Sequence, residues 1–251
     1  MQTTDGNNEF RAYPVWDRTV RWFHWINVVC VWALLAVGTF IYFDDAFGFS
    51  GEGKVLLKTV HVSIGYVFVL NLGWRLVWAF IGGRFSRWGR LLPFRRGWGR
   101  QYKEYVGGFR RGEPPPYAGH NPAARLSVSL LLAVMISQGA TGLVLAGTDL
   151  FFPPFGGSIA EWVAVEGQDP VALVAGSKAG VDATAWDEMR AFRKPYIQVH
   201  KWGYYLLLAL IPLHVIGVIV TETRERSGLI SAMFSGRKMF RRRPVDLDPD
   251  D

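Results

Sequence analysis

Four stretches of this 251-residue chain run for twenty residues or more with almost no charge, and nothing else limits its possible folds as strongly. Twenty-two uncharged residues separate Arg21 from Asp44, 23 separate Arg125 from Asp149, and 20 separate Lys201 from Glu222. The stretch from Lys58 to Arg84 is broken only by Arg75. A helix needs ~20 apolar residues to cross the hydrocarbon core of a bilayer, and each stretch supplies them. Half of the chain is apolar, while the segments between the stretches are highly charged, which excludes both an ordinary soluble domain and a disordered chain. The pattern predicts an all-α membrane protein, a four-helix transmembrane bundle with spans at about 20–43, 59–82, 124–147 and 198–221. The spans form one domain over 16–222, preceded by a polar segment (1–15) and followed by a tail (223–251). The first apolar run is too long for a signal core and follows fifteen polar residues, so it is expected to stay in the mature protein.

Lys and Arg resist translocation, so their distribution sets the orientation. The connection from Gly82 to Pro122 holds nine of them against Glu104 and Glu113. The tail adds seven more between Arg224 and Arg243, and Arg11, Arg18 and Arg21 precede the first span. Both termini are therefore expected in the cytoplasm. The segment from Asp149 to Lys194 carries seven acidic and four basic residues, is long for a link between neighbouring helices, and is where an external partner could dock. The excess basic charge reads as topology plus attraction to anionic lipid, with no folded basic domain for nucleic acid. Cys30 is alone, which excludes an internal disulfide or a thiolate metal cluster and suits a small buried side chain. Trp16, Trp22, Trp25, Trp74 and Trp78 form an expected interfacial belt. Pro114 to Pro116 mark an extended linker, and Pro195 is expected at the start of the fourth helix.

Four of the five histidines, His24, His61, His200 and His214, fall in or at the edge of spans. An ionisable residue there is costly and points to a site. His200 and His214 are fourteen residues apart on one helix, ~21 Å of rise and close to four whole turns, so they share a face near opposite membrane surfaces. The first helix runs outward with His24 near its inner end, and the second runs inward with His61 near its outer end. Depth then pairs His61 with His200 outside and His24 with His214 inside. Two imidazoles at each of two levels suit the axial positions of two stacked haems, which exchange electrons and leave no position open for a substrate. Zinc or copper would need three or four ligands at one level.

Gly38, Gly65, Gly203 and Gly217 lie at helical spacings from these histidines and remove side chains where a flat macrocycle would press, although glycine is common in membrane helices. Arg75, fourteen residues after His61, is a candidate partner for an inner propionate, with Arg21 as competitor; the alternative is that Arg75 snorkels to the surface. Lys58 or Lys201 could serve on the outer side. Pro212, two residues before His214, either bends the helix to aim that ligand or is a tolerated kink.

The Arg21-Trp22-Phe23-His24-Trp25 motif, the His61 helix, Gly119-His120-Asn121-Pro122, the His200 and His214 pair, and Gly228-Leu229-Ile230-Ser231-Ala232-Met233-Phe234-Ser235-Gly236-Arg237-Lys238 together resemble the bacterial cytochrome b561 family. Within that family they are similar to the b-type cytochrome subunit of membrane-bound nickel-iron hydrogenases. The gamma subunit of formate dehydrogenase is a more distant likeness. The resemblance runs from Val15 to about Met239. It implies that the four histidines are axial ligands of two b haems, that a quinone reacts near the inner haem, and that electrons from a periplasmic redox protein reach the quinone pool. The segment from Asp149 through Trp186 departs from the hydrogenase pattern, so the partner it implies is either a hydrogenase or a multihaem cytochrome c. His120 and Asn121 sit where a quinone would bind, or form a turn and helix cap ahead of Pro122.

Two other functions fit parts of the chain. One is a stand-alone superoxide:quinone oxidoreductase, with Lys58 and Lys201 as its cationic funnel, a role the acidic outer segment opposes. The other is a membrane anchor without cofactor.

Overall fold

The computed structural model describes residues 10–94 and 96–248. Residues 1–9 of the amino-terminal segment, Arg95 of the basic connection and 249–251 of the tail lie outside the described residues. In chain order the elements are β1 (Arg11–Pro14), α1 (Arg18–Tyr42), α2 (Asp44–Phe47), α3 (Gly51–Ile81), α4 (Trp88–Leu91), α5 (Trp98–Arg111), α6 (Pro122–Leu150), α7 (Gly156–Val163), α8 (Ala183–Glu225), α9 (Ala232–Ser235) and β2 (Arg237–Phe240). Short 3₁₀ turns occupy Arg84–Ser86 and Pro170–Ala172.

Helices α1, α3, α6 and α8 are each long and apolar enough to cross a membrane, and they cover the four expected spans to within one residue at the ends of α1 and α3. They bury little of their apolar surface within the protein; Leu70 is 74% and Leu213 61% exposed. Such surfaces suit lipid, where helices satisfy every backbone polar group internally. The chain is a multi-pass membrane protein.

Helix α8 differs from the expectation at its start. Pro195 is not at its beginning but inside it, thirteenth in a helix of 43 residues. The helix begins where the Asp182 carboxylate accepts the Ala185 amide at 2.8 Å, and Met189 anchors its first turns in a core with Ile159 and Val163. That cap and core outweigh the one backbone bond that proline removes. The helix also continues through Pro212.

The chain divides into two compact units. Unit 1 comprises residues 1–25, 74–132 and 209–251. In it β1 and β2 pair antiparallel, with Arg11 opposite Phe240 and Pro14 opposite Arg237, a small ribbon added to an otherwise helical protein. The tail is packed: Ala232 and Ser227 are fully buried, and Ala232 joins Val15, Trp16, Val20, Phe85 and Ala118 in one core. Asp17 caps α1, accepting the Val20 amide at 2.8 Å, Trp78 Nε1 at 3.0 Å and the Ser86 hydroxyl at 2.7 Å. Burial alone would raise its carboxyl, but these bonds hold it below the usual carboxylate range. Pro114 to Pro116 are non-helical as expected, and Pro116 accepts the Val245 amide at 2.9 Å.

Unit 2 comprises residues 26–73 and 133–208. Phe68 and Leu72 pack beside Gly139, where a side chain would crowd Val69. Beyond α6 the chain builds a small module in which α7 packs with α8, and Phe151, Leu173, Val181 and Trp186 cover the Ile159, Val163 and Met189 core. Cys30 is buried, as expected.

Candidate functional site

His61 and His200 meet within unit 2, their ring centroids 6.3 Å apart and their planes at 71°. The Thr141 hydroxyl lies 2.9 Å from His200 Nδ1 and donates its only proton to the Ser137 carbonyl at 2.7 Å. Oxygen Oγ1 can therefore only accept from the ring, which places the imidazole proton on Nδ1 and leaves the Nε2 lone pair free. That is the tautomer a metal-ligating histidine needs, with an outer partner on its other nitrogen. Gln138 Nε2 donates to the His200 carbonyl at 2.8 Å and fixes the same turn of α8. Two metal–imidazole bonds of about 2 Å, added to the distance from each ring centre to its nitrogen, span a separation of this size. The pair can grip one metal ion. Among the described residues no group of three or more His, Cys, Asp or Glu converges to hold a metal, so the ligand set on offer is two imidazoles.

Glycines shape this pair differently from the sequence expectation. A Cβ at Gly38 would lie 3.3 Å from His61 Cε1, and one at Gly142 3.4 Å from His200 Cε1. Both therefore set the ring positions. A Cβ at Gly65 or at Gly217 would meet open space. Gly203 instead makes room for Gln138, whose amide a Cβ would overlap. His61 Nδ1 is buried without a hydrogen-bond partner.

The two candidate lysines of unit 2 have partners. Lys58 Nζ pairs with Asp149 Oδ2 at 3.0 Å, and Arg193 binds the same carboxylate at 2.6 and 2.9 Å. Lys201 Nζ lies 5.0 Å over the Tyr42 ring.

In unit 1, His24 and His214 lie within electrostatic reach of each other. The His24 ring is 5.3 Å from Trp25, which stacks on Phe234 at 4.7 Å and donates to the Met233 carbonyl at 3.1 Å. The α9 segment thus braces the turn that carries His24. Arg21 Nη1 donates to the Phe234 carbonyl, so that arginine is partly engaged. Arg75 is only 6% exposed, lies 5.8 Å over Phe23, and has an Nη1 with no hydrogen-bond partner. It does not snorkel. Asp17 lies within electrostatic reach of it, and a guanidinium buried in this way still costs several kcal/mol unless an anion also bonds its free nitrogen.

His120 and Asn121 separate in role. Asn121 Oδ1 accepts the Ala124 amide at 2.8 Å, which caps α6, and its Nδ2 donates to the Tyr105 hydroxyl at 2.8 Å. Tyr105 donates in turn to Glu225 Oε1 at 2.7 Å, and burial, with the Glu225 charge adding, pushes that phenol up. Asn121 is thus committed to structure. The His120 ring packs against Trp16 at 4.7 Å between centroids, tilted by 51°, and Trp16 is buried here instead of lying in the interfacial belt. Its Nδ1 is buried without a partner. Loss of hydration, with the charges of Lys238, Arg75, Arg125 and His214 adding, lowers it to about 3 and keeps it neutral. Lys238, itself 2% exposed, donates to Tyr117 and Gly119 carbonyls at 3.3 and 2.9 Å; burial brings it down to about 8 despite nearby Glu225, Asp246 and Glu222.

Sequence reading missed Thr141, Gln138, Gly142, Asp149 and Arg193. The first two carried a signal, since hydroxyl and amide side chains in a charge-free span need partners.

The chain matches the family described as prokaryotic cytochrome b561 over residues 15–236. It is 24% identical over 252 residues to a probable Ni/Fe-hydrogenase B-type cytochrome subunit of Azotobacter vinelandii, covering 96% of this chain and 95% of the relative. A protein of the same description from Rhizobium leguminosarum bv. viciae is 24% identical over 247 residues, 94% of this chain and 92% of the relative. The probable Ni/Fe-hydrogenase 1 B-type cytochrome subunit of Escherichia coli (strain K12) is 30% identical over 144 residues, 53% of this chain and 60% of the relative. No solved structure matches the chain. The match spans all four long helices and all four span histidines, and the chain belongs to the prokaryotic cytochrome b561 family, multi-pass bacterial membrane proteins that carry haem b and transfer electrons.

Proposed function

We propose that the chain is a di-haem cytochrome b that carries electrons from a periplasmic redox protein to the membrane quinone pool, with both termini in the cytoplasm. The observation that carries this reading is the His61 and His200 pair, 6.3 Å between centroids with the His200 proton confined to Nδ1 by Thr141. His61 and His200 would hold one haem b, and His24 and His214 the other. Haem iron held by two imidazoles takes up and returns a single electron and offers no open position for bond chemistry.

The chain's own residues do the rest. Thr141 and Gln138 hold His200, Gly38 and Gly142 let the rings reach their positions, and α9 braces His24 through Trp25. Arg75, buried with a free Nη1, would neutralise a propionate, and its removal from water makes that pairing strong. His120, neutral and with its Nδ1 unpartnered, is the side chain available to hydrogen-bond a quinone carbonyl; Asn121 is not. The orientation rests on the excess of Lys and Arg in the connection from Gly82 to Pro122 and in the tail. As the names of its relatives suggest, the periplasmic partner would be a nickel-iron hydrogenase, with a multihaem cytochrome c as the other candidate.

Superoxide oxidation is disfavoured, because the 149–194 segment carries seven acidic residues against four basic ones and repels an anionic substrate. An anchor without cofactor conflicts with membership of a cytochrome family.

The test is reconstitution of the haem-loaded chain in liposomes containing a quinone, with electrons supplied by a membrane-impermeant donor on the side of the 149–194 segment. Quinone reduction that is lost in both His61→Ala and His214→Ala is the expected result. Equal reduction by either variant and the wild type would refute the route.

A further inference from the structure

Glu188, Phe192, Tyr196 and His200 recur every four residues on α8, so they follow one face of that helix. Ring contacts join Phe192 and Tyr196 into a stripe that continues onto α7. Phe192 and Tyr196 are 5.1 Å apart between centroids, and Trp162 meets Phe192 edge-on at 5.9 Å. The module containing these residues has its own closed core, yet Trp162 and Phe192 remain 39% and 41% exposed. Eight residues separate Phe192 from His200, a rise of ~12 Å.

The charge around the stripe is acidic on balance: the exposed Arg190 and Lys194 each stand two residues from Phe192, which at ~100° per residue puts them on the far side of α8. Glu161 precedes Trp162, and Glu188 stands one turn before Phe192; both are exposed. The nearest basic side chain on that turn, Arg193, is turned to Asp149, which it shares with Lys58. Across residues 161–194, which hold the whole stripe as far as Phe192, there are six acidic and four basic residues, in a chain whose net charge is +7.

We infer that the Trp162, Phe192 and Tyr196 stripe is the docking face for the electron-donating partner, a redox protein whose cofactor edge is apolar and ringed by Lys and Arg; this rests on the electron-transfer reading above. Exposed aromatics ringed by charge are what an interface centre uses, with water excluded around a few large rings. Opposite charge steers the encounter and sets its register. Redox encounters also use small interfaces, so a patch of three rings and two carboxylates is of the right order. The other surface that binds Trp and Tyr is the lipid headgroup region. Glu161 and Glu188 oppose that use, because anionic headgroups repel them.

The test uses the haem-loaded full chain in nanodiscs with a soluble cationic c-type cytochrome as probe and an anionic ferredoxin as counter-probe. Equilibrium binding to immobilised nanodiscs is measured first. The dithionite-reduced chain is then mixed with ferric probe, so that one electron leaves a b haem and reduces one c haem. Trp162→Ala with Phe192→Ala is expected to weaken probe binding about tenfold. Glu161→Lys with Glu188→Lys is expected to slow association about tenfold at low salt, with the difference vanishing at high salt. The haem spectrum of each variant should match the wild type, which separates docking from folding. Unchanged binding in the aromatic variant assigns the stripe to lipid and overturns the inference. So does tighter binding of the anionic probe, or a larger loss from Glu166→Lys with Asp169→Lys. A wild type without haem overturns the electron-transfer reading itself, whereas a haem-loaded wild type indifferent to these changes overturns the docking face alone.

Discussion

Replacing Thr141 by valine removes one oxygen and keeps the shape of the side chain. In the structure that oxygen lies 2.9 Å from His200 Nδ1, accepts its proton and has its own proton on Ser137. Thr141 is buried, so no water replaces the lost acceptor, and the ring N–H is left unpaired at a cost of ~1–3 kcal/mol. The change affects the metal-binding form specifically, because nothing then prevents the proton from moving to Nε2. Loss of such an outer partner typically weakens metal binding 10–100-fold, about 1.4–2.7 kcal/mol, in line with the hydrogen-bond cost. A ring that donates from Nδ1 is also the better electron donor and favours ferric iron. If a tenfold preference is lost, the midpoint of that haem rises by about 59 mV. The assay is a redox titration of the purified protein with haem quantitation, alongside Thr141→Ser, which restores the acceptor. Wild-type haem content and unchanged midpoints in Thr141→Val would refute the reasoning.

Further outcomes follow from unit 1. Arg75→Leu removes the buried guanidinium; it should lower haem retention at the His24 and His214 level and shift that midpoint downward in the same titration, because a nearby positive charge favours ferrous iron. Asp17→Ala removes the α1 cap and the acceptor for Trp78 and Ser86, and should destabilise the protein by about 2–3 kcal/mol in a denaturant titration. Lys238 is depressed to about 8 from 10.5, so between those values the unfolded chain holds a proton that the folded chain has released, and stability should rise with pH there. Below pH 8 the burial cost is fully present, on the order of 3 kcal/mol. Melting midpoints of wild type and Lys238→Met from pH 7.5 to 10 should shift in favour of the wild type as pH rises.

The spans and the meeting of His61 with His200 were legible in the sequence because both depend on periodicity and charge, which are local properties. Hydropathy marks a helix that must face lipid, and fourteen-residue spacing marks one face of it. What was not legible depends on contacts between distant segments. Gly203 looked like a cradle for a macrocycle, but its neighbour is Gln138 from another helix. Lys58 looked free until Asp149 and Arg193 came to it across the fold. Pro195 looked like a helix start because a proline usually costs least there, whereas the Asp182 cap and the Met189 core carry the helix past it. The basic charge of the tail read as topology and attraction to anionic lipid, which says nothing of packing, yet Ser227, Ala232 and Lys238 are buried in it, since its few apolar residues meet Val15 and Trp16.

The most direct test of the central claim is the number of b haems per chain, by quantitation with a reduced-minus-oxidised spectrum, in the wild type, His61→Ala and His24→Ala. The account predicts two haems in the wild type and one in each variant, with the two variants losing spectrally different components. Two haems retained in both variants, or a single haem in the wild type, would contradict it.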